Sequence, residues 1–458
     1  MTDRLALALD RASAARLIPG NALRHIPHSP AALEAMLELI ASARRTVHFE
    51  NYIIRDDRTG RRFAAALEDR ARAGVQVRVL YDAFGSIGTR RRFWRELRRA
   101  GAEVRVFGPL LTSGLFQLLS RDHRKLLVVD GGEAMMGGLC IGDEWAGDPE
   151  RGRLPWRDTM LSIRGPAVAM LEGSFARVWA TAGAPLPPGA LTPTAEPCGT
   201  SPLRVIDGVP AQSRAYRAVQ MLAAAAQERL WITDAYLVAP PPLYASLVDA
   251  AKSGVDVRLL LPGTSDIPVV RTFSRIGYRD LLRAGARIFE YSGPMLHAKT
   301  LVVDRGWGRV GSTNLNVSSL LGNYELDVIA ECDTLTEALA AQFRHDSAQS
   351  REILLHERRR LPARLVRASD VATPVRHKRS PRELQAAAAI ALVQVAGGAR
   401  RMVAGAAAIP LAILGAVLLV FPRATSVVLA AGSLALSLGL ASYALARRRS
   451  GRRTTDAA

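Results

Sequence analysis

The sequence predicts an α/β protein made of two similar lobes, followed by a C-terminal helical hairpin that crosses a membrane. Short β-rich runs alternate with helices that stop at a glycine, which is typical of an α/β sheet. The same series of segments occurs twice, which indicates a duplication. Two uncharged stretches of twenty residues, 402–421 and 427–446, are each long enough to span a hydrocarbon core of roughly 30 Å.

The duplication is visible in three pairs of segments. Segments 45–52, 72–80 and 97–104 resemble segments 229–236, 252–260 and 281–288, at offsets of 184, 180 and 184 residues. The offset of 184 aligns Glu50 with Asp234. Strand–helix–strand units of this kind favour parallel pairing, and a Pro/Gly-rich stretch at 184–202 marks the joint.

A fourth pair of segments carries the chemistry. His123, Lys125 and Asp130 fit the pattern H-x-K-x-x-x-x-D, and the same pattern returns 174 residues later. The second copy consists of His297, Lys299 and Asp304. Residues two apart on a strand share a face, so each histidine projects with its lysine. A single match is weak, and each histidine alone could be an ordinary core residue. Two matches at equivalent positions, each followed by a Gly-containing turn at 137–140 or 311–314, indicate a site.

These residue types suit the cleavage of a phosphodiester. Two lysines can neutralise the phosphoryl oxygens by charge-assisted hydrogen bonds. A neutral imidazole can attack phosphorus to give a phosphohistidine, while a protonated imidazole donates to the leaving alkoxide. No metal or cofactor is expected, because His25 and His28 lack acidic or cysteine partners nearby.

Composition limits the partners and the location. The 458 residues include 61 basic and 42 acidic ones, so the net charge of +19 suits nucleic acid or an anionic membrane. Three separated cysteines exclude a disulfide framework and favour a reducing compartment. Arginines at 400–401 and 447–453 flank the hairpin, which would place both of its ends in the cytoplasm. The alternative to the hairpin is a pair of buried helices in a soluble domain.

The sequence resembles the phospholipase D superfamily, most closely its bacterial cardiolipin synthases. The segments that carry the resemblance are 50–57, 79–86, 123–145, 156–159, 163–166, 259–263 and 295–327. The resemblance covers residues 18–350 and implies two lobes about a pseudo-twofold axis with one active site between them. The domain boundaries expected are 1–195 and 196–365 for the lobes, 366–400 for a juxtamembrane linker, 401–447 for the hairpin and 448–458 for a basic tail.

The resemblance also implies roles for individual residues. His123 would be the nucleophile and His297 the general acid, with Asp158 orienting His123 and Glu325 orienting His297. Lys125, Lys299, Ser312 and Asn314 would bind phosphate. Asp130 and Asp304 complete the motifs, and we expect them to be structural rather than chemical. Cys140 departs from the family pattern, which has asparagine there.

The function expected is that of a phosphatidyltransferase in the bacterial inner membrane with its lobes facing the cytoplasm. The substrate expected is phosphatidylglycerol, or phosphatidylethanolamine as donor, and nucleic acid is disfavoured. A hydrolase or nuclease of the same superfamily is the first alternative, and a catalytically inactive lipid-binding protein is the second. Among other residues, we expect Phe84, Phe93, Trp94 and Phe107 to belong to the core.

Overall fold

A computed structural model describes residues 2–109 and 120–355, which fall within one compact unit. The first lobe contains strands β1 (Ile18–Ile26), β2 (Thr46–Asn51), β3 (Gln76–Asp82), β4 (Glu103–Phe107), β5 (Lys125–Val129), β6 (Glu133–Gly137) and β7 (Met160–Arg164). Its helices are α1 (Thr2–Ser13), α2 (Ser29–Ala41), α3 (Arg58–Arg72), α4 (Arg91–Arg99), α5 (Asp143–Ala146) and α6 (Ala167–Thr181), with a 3₁₀ turn at Pro149–Arg151.

The second lobe repeats this series. Its strands are β8 (Ser201–Gly208), β9 (Arg229–Thr233), β10 (Asp256–Pro262), β11 (Arg287–Tyr291), β12 (Thr300–Val303), β13 (Trp307–Gly311), β14 (Glu325–Glu331) and β15 (Ser350–Ile353). Its helices are α7 (Arg214–Ala225), α8 (Pro241–Lys252), α9 (Pro268–Ile276), α10 (Tyr278–Arg283) and α11 (Asp333–Ala348), with a π-helical turn at Ser318–Gly322.

The strand order shows the duplication directly. The first lobe has the order β4-β3-β2-β5-β6-β7-β1 and the second has β11-β10-β9-β12-β13-β14-β8. β1 and β8 pair in antiparallel fashion and join the halves, and β15 adds an edge strand beside β11. The sheet is mixed rather than wholly parallel. β2, β3 and β4 run parallel, as do β9, β10 and β11, whereas tight turns force β5–β6 and β12–β13 to be antiparallel.

Strand register corrects the alignment of the repeats by one residue. Glu50 lies opposite Leu126, and the equivalent of Leu126 in the second motif is Thr300, which lies opposite Thr233. Glu50 therefore matches Thr233, not Asp234 as the sequence offset indicated. Asn51 takes the place of Asp234, so the repeat offset at this strand is 183 residues.

Both lobes contribute to one hydrophobic core. Leu126, Leu161 and Phe175 of the first lobe belong to the same buried cluster as Leu326 and Phe343 of the second. Close packing in such a core resists relative movement of its parts. β5 and β12, the strands that follow the two histidine–lysine pairs, are therefore fixed with respect to each other. A second buried cluster, which includes Phe49, Phe63 and Trp94, lies under α2, α3 and α4.

The expected aromatic core residues divide into two groups. Phe93, Trp94 and Phe107 are buried, as expected. Phe84 is 56% exposed, so its assignment to the core was wrong. Phe84 lies in the turn after β3. Its neighbours Gly85 and Ser86 pack against Tyr52, and the side chain of Phe84 points outwards.

Within residues 2–109 and 120–355 no helix has the length and apolar character needed to cross a membrane. The linker at 366–400, the hairpin at 401–447 and the tail at 448–458 lie outside the described residues.

The two motif aspartates fasten the start of one strand to the end of another. Asp130 has a positive φ of 54°, and its carboxylate accepts backbone N–H bonds from Arg44, Arg45 and Thr46 at 2.7–2.8 Å. Asp304 has a φ of 49° and accepts from the three residues at 227–229. Asp130 directly follows β5 and Asp304 directly follows β12, so each aspartate lies at the opposite end of its strand from the lysine. Their contacts are therefore structural.

We predict that Asp130→Asn lowers the free energy of unfolding by about 1–2 kcal/mol, because two of the charge-assisted bonds become weaker or are lost. Burial acts to raise the pKa of Asp130. The backbone N–H groups of Thr46, Arg44 and Arg45 outweigh burial and hold that pKa below its usual value. This stabilisation is present above the unfolded-state pKa and is lost as the pH falls through the folded-state pKa. Denaturant unfolding at neutral and acid pH measures it. Asp69→Asn, on the exposed face of α3, is the control, and equal losses in both variants would contradict the prediction.

Candidate active site

The two motifs place histidine and lysine side chains at the start of a central strand in each lobe. Lys125 is the first residue of β5, and Lys299 directly precedes β12. Both lysines are fully buried, while His123 and His297 are 8% and 5% exposed. The two motifs are brought together by backbone bridges between the lobes, from Asp122 to Tyr324 and from Leu296 to Arg157. The charges of Lys299 and His297 accordingly act to lower the pKa of His123.

Each histidine is hydrogen-bonded to a carboxylate of the other lobe. Nδ1 of His123 lies 3.0 Å from Oε2 of Glu325, and Nδ1 of His297 lies 2.6 Å from Oδ2 of Asp158. The expected pairing was therefore wrong: the two carboxylates are the expected ones, but they are exchanged between the histidines.

Backbone pairing between the lobes explains the exchange. The N–H of His123 donates to the carbonyl of Tyr324, the residue before Glu325, at 3.0 Å. In the symmetric contact the N–H of His297 donates to the carbonyl of Arg157, the residue before Asp158, at 2.7 Å. Each carboxylate is thus delivered beside the histidine of the opposite lobe.

The carboxylates differ in their further support. Asp158 accepts from the indole N–H of Trp145 at 3.2 Å and from the backbone N–H of Thr159 at 2.8 Å. Glu325 accepts from the hydroxyl of Ser312 at 2.5 Å. Ser312 was expected to bind phosphate, whereas the structure places its hydroxyl against Glu325, where it supports that carboxylate.

Electrostatics make the two histidine–carboxylate pairs unequal. Burial raises the pKa of Glu325 to about 7, against the opposing effect of Lys125. Burial also acts to raise the pKa of Asp158, but His297 and Lys299 outweigh it and hold that pKa below its usual value. His297 consequently faces an anionic partner, whereas the partner of His123 is close to half protonated near neutral pH.

The histidines respond accordingly. Burial and then the charges of Lys125 and Lys299 hold the pKa of His123 well below its ordinary value. Burial and Lys299 also lower the pKa of His297, but the carboxylate of Asp158 opposes them. His123 is therefore neutral, whereas His297 has a carboxylate partner that opposes the lowering of its pKa.

The lysines stand next to their own histidines. Nζ of Lys299 lies 3.0 Å from Nδ1 of His297, and burial lowers the pKa of Lys299 to about 8 although Asp158 opposes the shift. Nζ of Lys125 lies 2.5 Å from the carbonyl oxygen of His123 and 5.1 Å from the ring centre of Tyr52. Both ammonium groups are thus held where a phosphoryl oxygen beside the histidines would meet them.

Aromatic rings form the walls of the site. Tyr52 lies 4.8 Å from His123 between ring centres, and Trp145, Trp156 and Tyr236 lie 5.5, 5.9 and 6.0 Å from His297. Sequence reasoning did not assign these roles. The available signal was position, because Tyr52 directly follows β2 and Tyr236 lies three residues after the end of β9.

The remaining expected phosphate ligand, Asn314, is buried. Its amide Nδ2 donates to the hydroxyl of Ser319 at 3.4 Å, and its buried Oδ1 has no hydrogen-bond partner among the described residues. Cys140 is fully buried, and burial raises the pKa of its thiol. It therefore fills the equivalent position in the first lobe as a neutral group. No three His, Cys, Asp or Glu side chains are arranged to hold a metal ion in the part of the chain that the structure describes.

Comparison with known proteins agrees with this geometry. Residues 36–144 and 219–347 match the family described as "Cardiolipin synthase, PLD-like domain". Cardiolipin synthase A of Pseudomonas aeruginosa (strain LESB58) is 36% identical over 358 residues, which cover 77% of this chain and 72% of the relative. Cardiolipin synthase of Geobacillus sp. (strain WCH70) is 35% identical over 326 residues, covering 69% and 64%.

One solved structure has a similar fold. Phosphatidylserine synthase of Haemophilus influenzae Rd KW20 superposes with a TM-score of 0.56 at 13% identity, covering 76% of this chain and 91% of that one. The fold and the site together define an enzyme of the phospholipase D superfamily. Within it, the chain belongs to the family of the cardiolipin synthase, PLD-like domain.

Because the two histidine–carboxylate pairs differ, neutralising the two carboxylates should change the pKa values of the two histidines by different amounts. Asp158→Asn should lower the pKa of His297, because the Asp158 charge is what opposes burial and Lys299 there. Glu325→Gln should change the pKa of His123 much less, because Glu325 is already partly protonated near its pKa of about 7. NMR titration of the full chain with labelled histidine measures both shifts, with exposed His345 as the internal reference. Equal shifts at the two histidines would contradict the prediction.

Proposed function

We propose that the protein is a membrane phospholipid synthase that transfers a phosphatidyl group, through a phosphohistidine, to phosphatidylglycerol. The observation that carries the proposal is the pair of buried imidazoles, each held by a carboxylate of the other lobe and each accompanied by a buried lysine. Relatives named cardiolipin synthase support the choice of substrate class.

The first half-reaction uses the inequality of the histidines. Glu325 occupies Nδ1 of His123, which leaves Nε2 to attack phosphorus. The phosphorus–oxygen bond to the leaving glycerol breaks as the phosphorus–nitrogen bond forms. His297 gives its proton to the departing oxygen, and Lys125 and Lys299 offset the charge on the phosphoryl oxygens.

The second half-reaction reverses the proton transfer. A hydroxyl of the acceptor phosphatidylglycerol gives its proton to His297 and attacks phosphorus, which releases His123. Asp158 stabilises the imidazolium of His297 and fixes its tautomer, as the carboxylate of a catalytic triad does. Phosphatidylethanolamine could serve as donor in the same scheme, because only the leaving group differs.

The proposed location is the bacterial inner membrane, with the lobes on the cytoplasmic side. The uncharged stretches of the 401–447 segment would supply the anchor, and the arginines that flank them set its orientation. Anchoring would concentrate the lobes at the surface that holds both substrates.

The distribution of charge favours a lipid over a nucleic-acid substrate. Seventeen of the 61 basic residues and 4 of the 42 acidic residues stand after residue 355, so residues 1–355 have a net charge of only +6. Most of the excess positive charge therefore accompanies the anchor segment rather than the lobes. A nuclease would need that charge beside its site.

The proposal predicts cardiolipin and glycerol as products when the full chain meets vesicles of phosphatidylglycerol. His123→Ala should reduce the rate by about 10⁴-fold, because no nucleophile remains. A mass spectrum of protein quenched during turnover without acid should show a phosphatidyl group on the peptide that contains His123.

The matched control is His345→Ala, since His345 is an exposed histidine on α11. Phosphatidic acid as the main product would show a hydrolase instead. A phosphatidyl group on the His297 peptide would reverse the assigned roles of the histidines.

A further inference from the structure

Large exposed apolar side chains concentrate around the active site. Twelve such residues occur in the part of the chain that the structure describes. Five of them lie in loops that adjoin aromatic residues of the site, and two lie on α9, the helix that begins directly after Ile267. These seven, here called the apolar rim, are Phe84, Ile87, Leu154, Val238, Ile267, Phe273 and Ile276. Scattered single apolar residues need no explanation, but a concentration at one place indicates a contact surface.

Each part of the rim is tied to a residue that lines the site. The hydroxyl of Ser86, between Phe84 and Ile87, donates to the carbonyl of Tyr52, whose ring faces His123. The hydroxyl of Tyr236, whose ring faces His297, donates to Asp266, the residue before Ile267, at 2.7 Å. The rim therefore stands at the mouth of the site in both lobes.

Leu154 belongs to the same mouth. It is 70% exposed and lies two residues before Trp156, whose ring is 5.9 Å from His297. This third loop adds an exposed apolar group close in sequence to Trp156.

Helix α9 gives the rim its largest apolar face. Phe273 and Ile276 lie three residues apart, a spacing that places them on one side of the helix. Phe273 is 47% exposed and Ile276 is 71% exposed, so this side is not covered by the lobe. A helix with an uncovered apolar side beside basic residues is typical of a segment that lies in a membrane interface.

Positive charge surrounds the rim. Arg90, Arg91 and Arg92 follow the Phe84–Ile87 turn and are exposed, and Arg279 is exposed after α9. Arg91 and Arg279 form no ion pair within residues 2–109 and 120–355. Such arginines complement the negative charge of an anionic lipid surface.

We propose that the apolar rim docks the mouth of the active site onto an anionic bilayer. The inference rests on the proposed function, since it supplies the step that the buried histidines require. The imidazoles are almost inaccessible from solvent, so a lipid phosphodiester must rise from the bilayer into the cleft. Rim side chains inserted between the lipid headgroups and the acyl chains would let a lipid enter the site without exposing its acyl chains to water.

The test compares one substrate in two physical states. The double variant Phe273→Ser with Ile276→Ser should lose roughly tenfold in kcat/KM on vesicles of equal parts phosphatidylglycerol and phosphatidylcholine. On short-chain phosphatidylglycerol below its micelle concentration the same variant should match the wild type. Both measurements use the full chain. The matched control, Leu7→Ser with Leu191→Ser, removes two exposed apolar residues outside the rim and should behave as the wild type on both substrates.

Hydrogen exchange separates this proposal from the proposed function. Amides of residues 264–277 should exchange more slowly with vesicles that contain phosphatidylglycerol than with phosphatidylcholine alone, whether or not the protein makes cardiolipin. Unchanged exchange in that segment would overturn the docking proposal, while absence of product would overturn only the proposed function.

Three other results would also overturn docking. One is an equal loss by the rim variant on both forms of the substrate, which would mean structural damage. Another is wild-type activity of the rim variant on vesicles. The third is a fall in the oligomeric mass of the rim variant, which would show that the rim binds a second copy of the chain.

Discussion

The site depends on four contacts that cross between the lobes: two backbone hydrogen bonds, and two histidine–carboxylate bonds that the backbone contacts position. The N–H groups of His123 and His297 bond to the residues that precede Glu325 and Asp158. Each imidazole therefore takes its carboxylate from the other repeat. Neither lobe holds a complete histidine–carboxylate pair, and the shared hydrophobic core keeps the two half-sites in register.

The backbone arrangement is the same in the two half-sites, but the charges around the two histidines differ. The strand order and the cross-lobe bonds are duplicated, but one carboxylate is an aspartate beside Trp145 and the other is a glutamate beside Ser312. Burial and the two lysines then separate the properties of the histidines, with the pKa of His123 held well below normal and that of His297 supported by Asp158. Two copies of one motif can thereby take opposite parts in proton transfer and nucleophilic attack.

Local patterns predicted local structure well. The apolar runs after Lys125 and Lys299 form strands, as expected, and the duplicated order of segments matches the two lobes that the structure shows. The expectation that each histidine lies on the same strand as its lysine was wrong, because both histidines precede these strands. The pairing of Asp158 with His297 could not be predicted, because it depends on a backbone contact between Arg157 and His297, which are far apart in the sequence. The offset that aligned Glu50 with Asp234 also failed, since strand register and not side-chain likeness decides which residues are equivalent. Phe84 was misplaced because hydrophobicity alone does not distinguish a core residue from an exposed one.

The cross-lobe bonds have a consequence for synthesis of the protein on the ribosome. A nascent chain that has released the first lobe holds His123 without Glu325, which follows 202 residues later. Domains generally fold in order during translation, so the first half emerges and collapses while His123 still lacks its carboxylate partner. Both histidine–carboxylate pairs therefore form only after the second half has been made and has closed against the first.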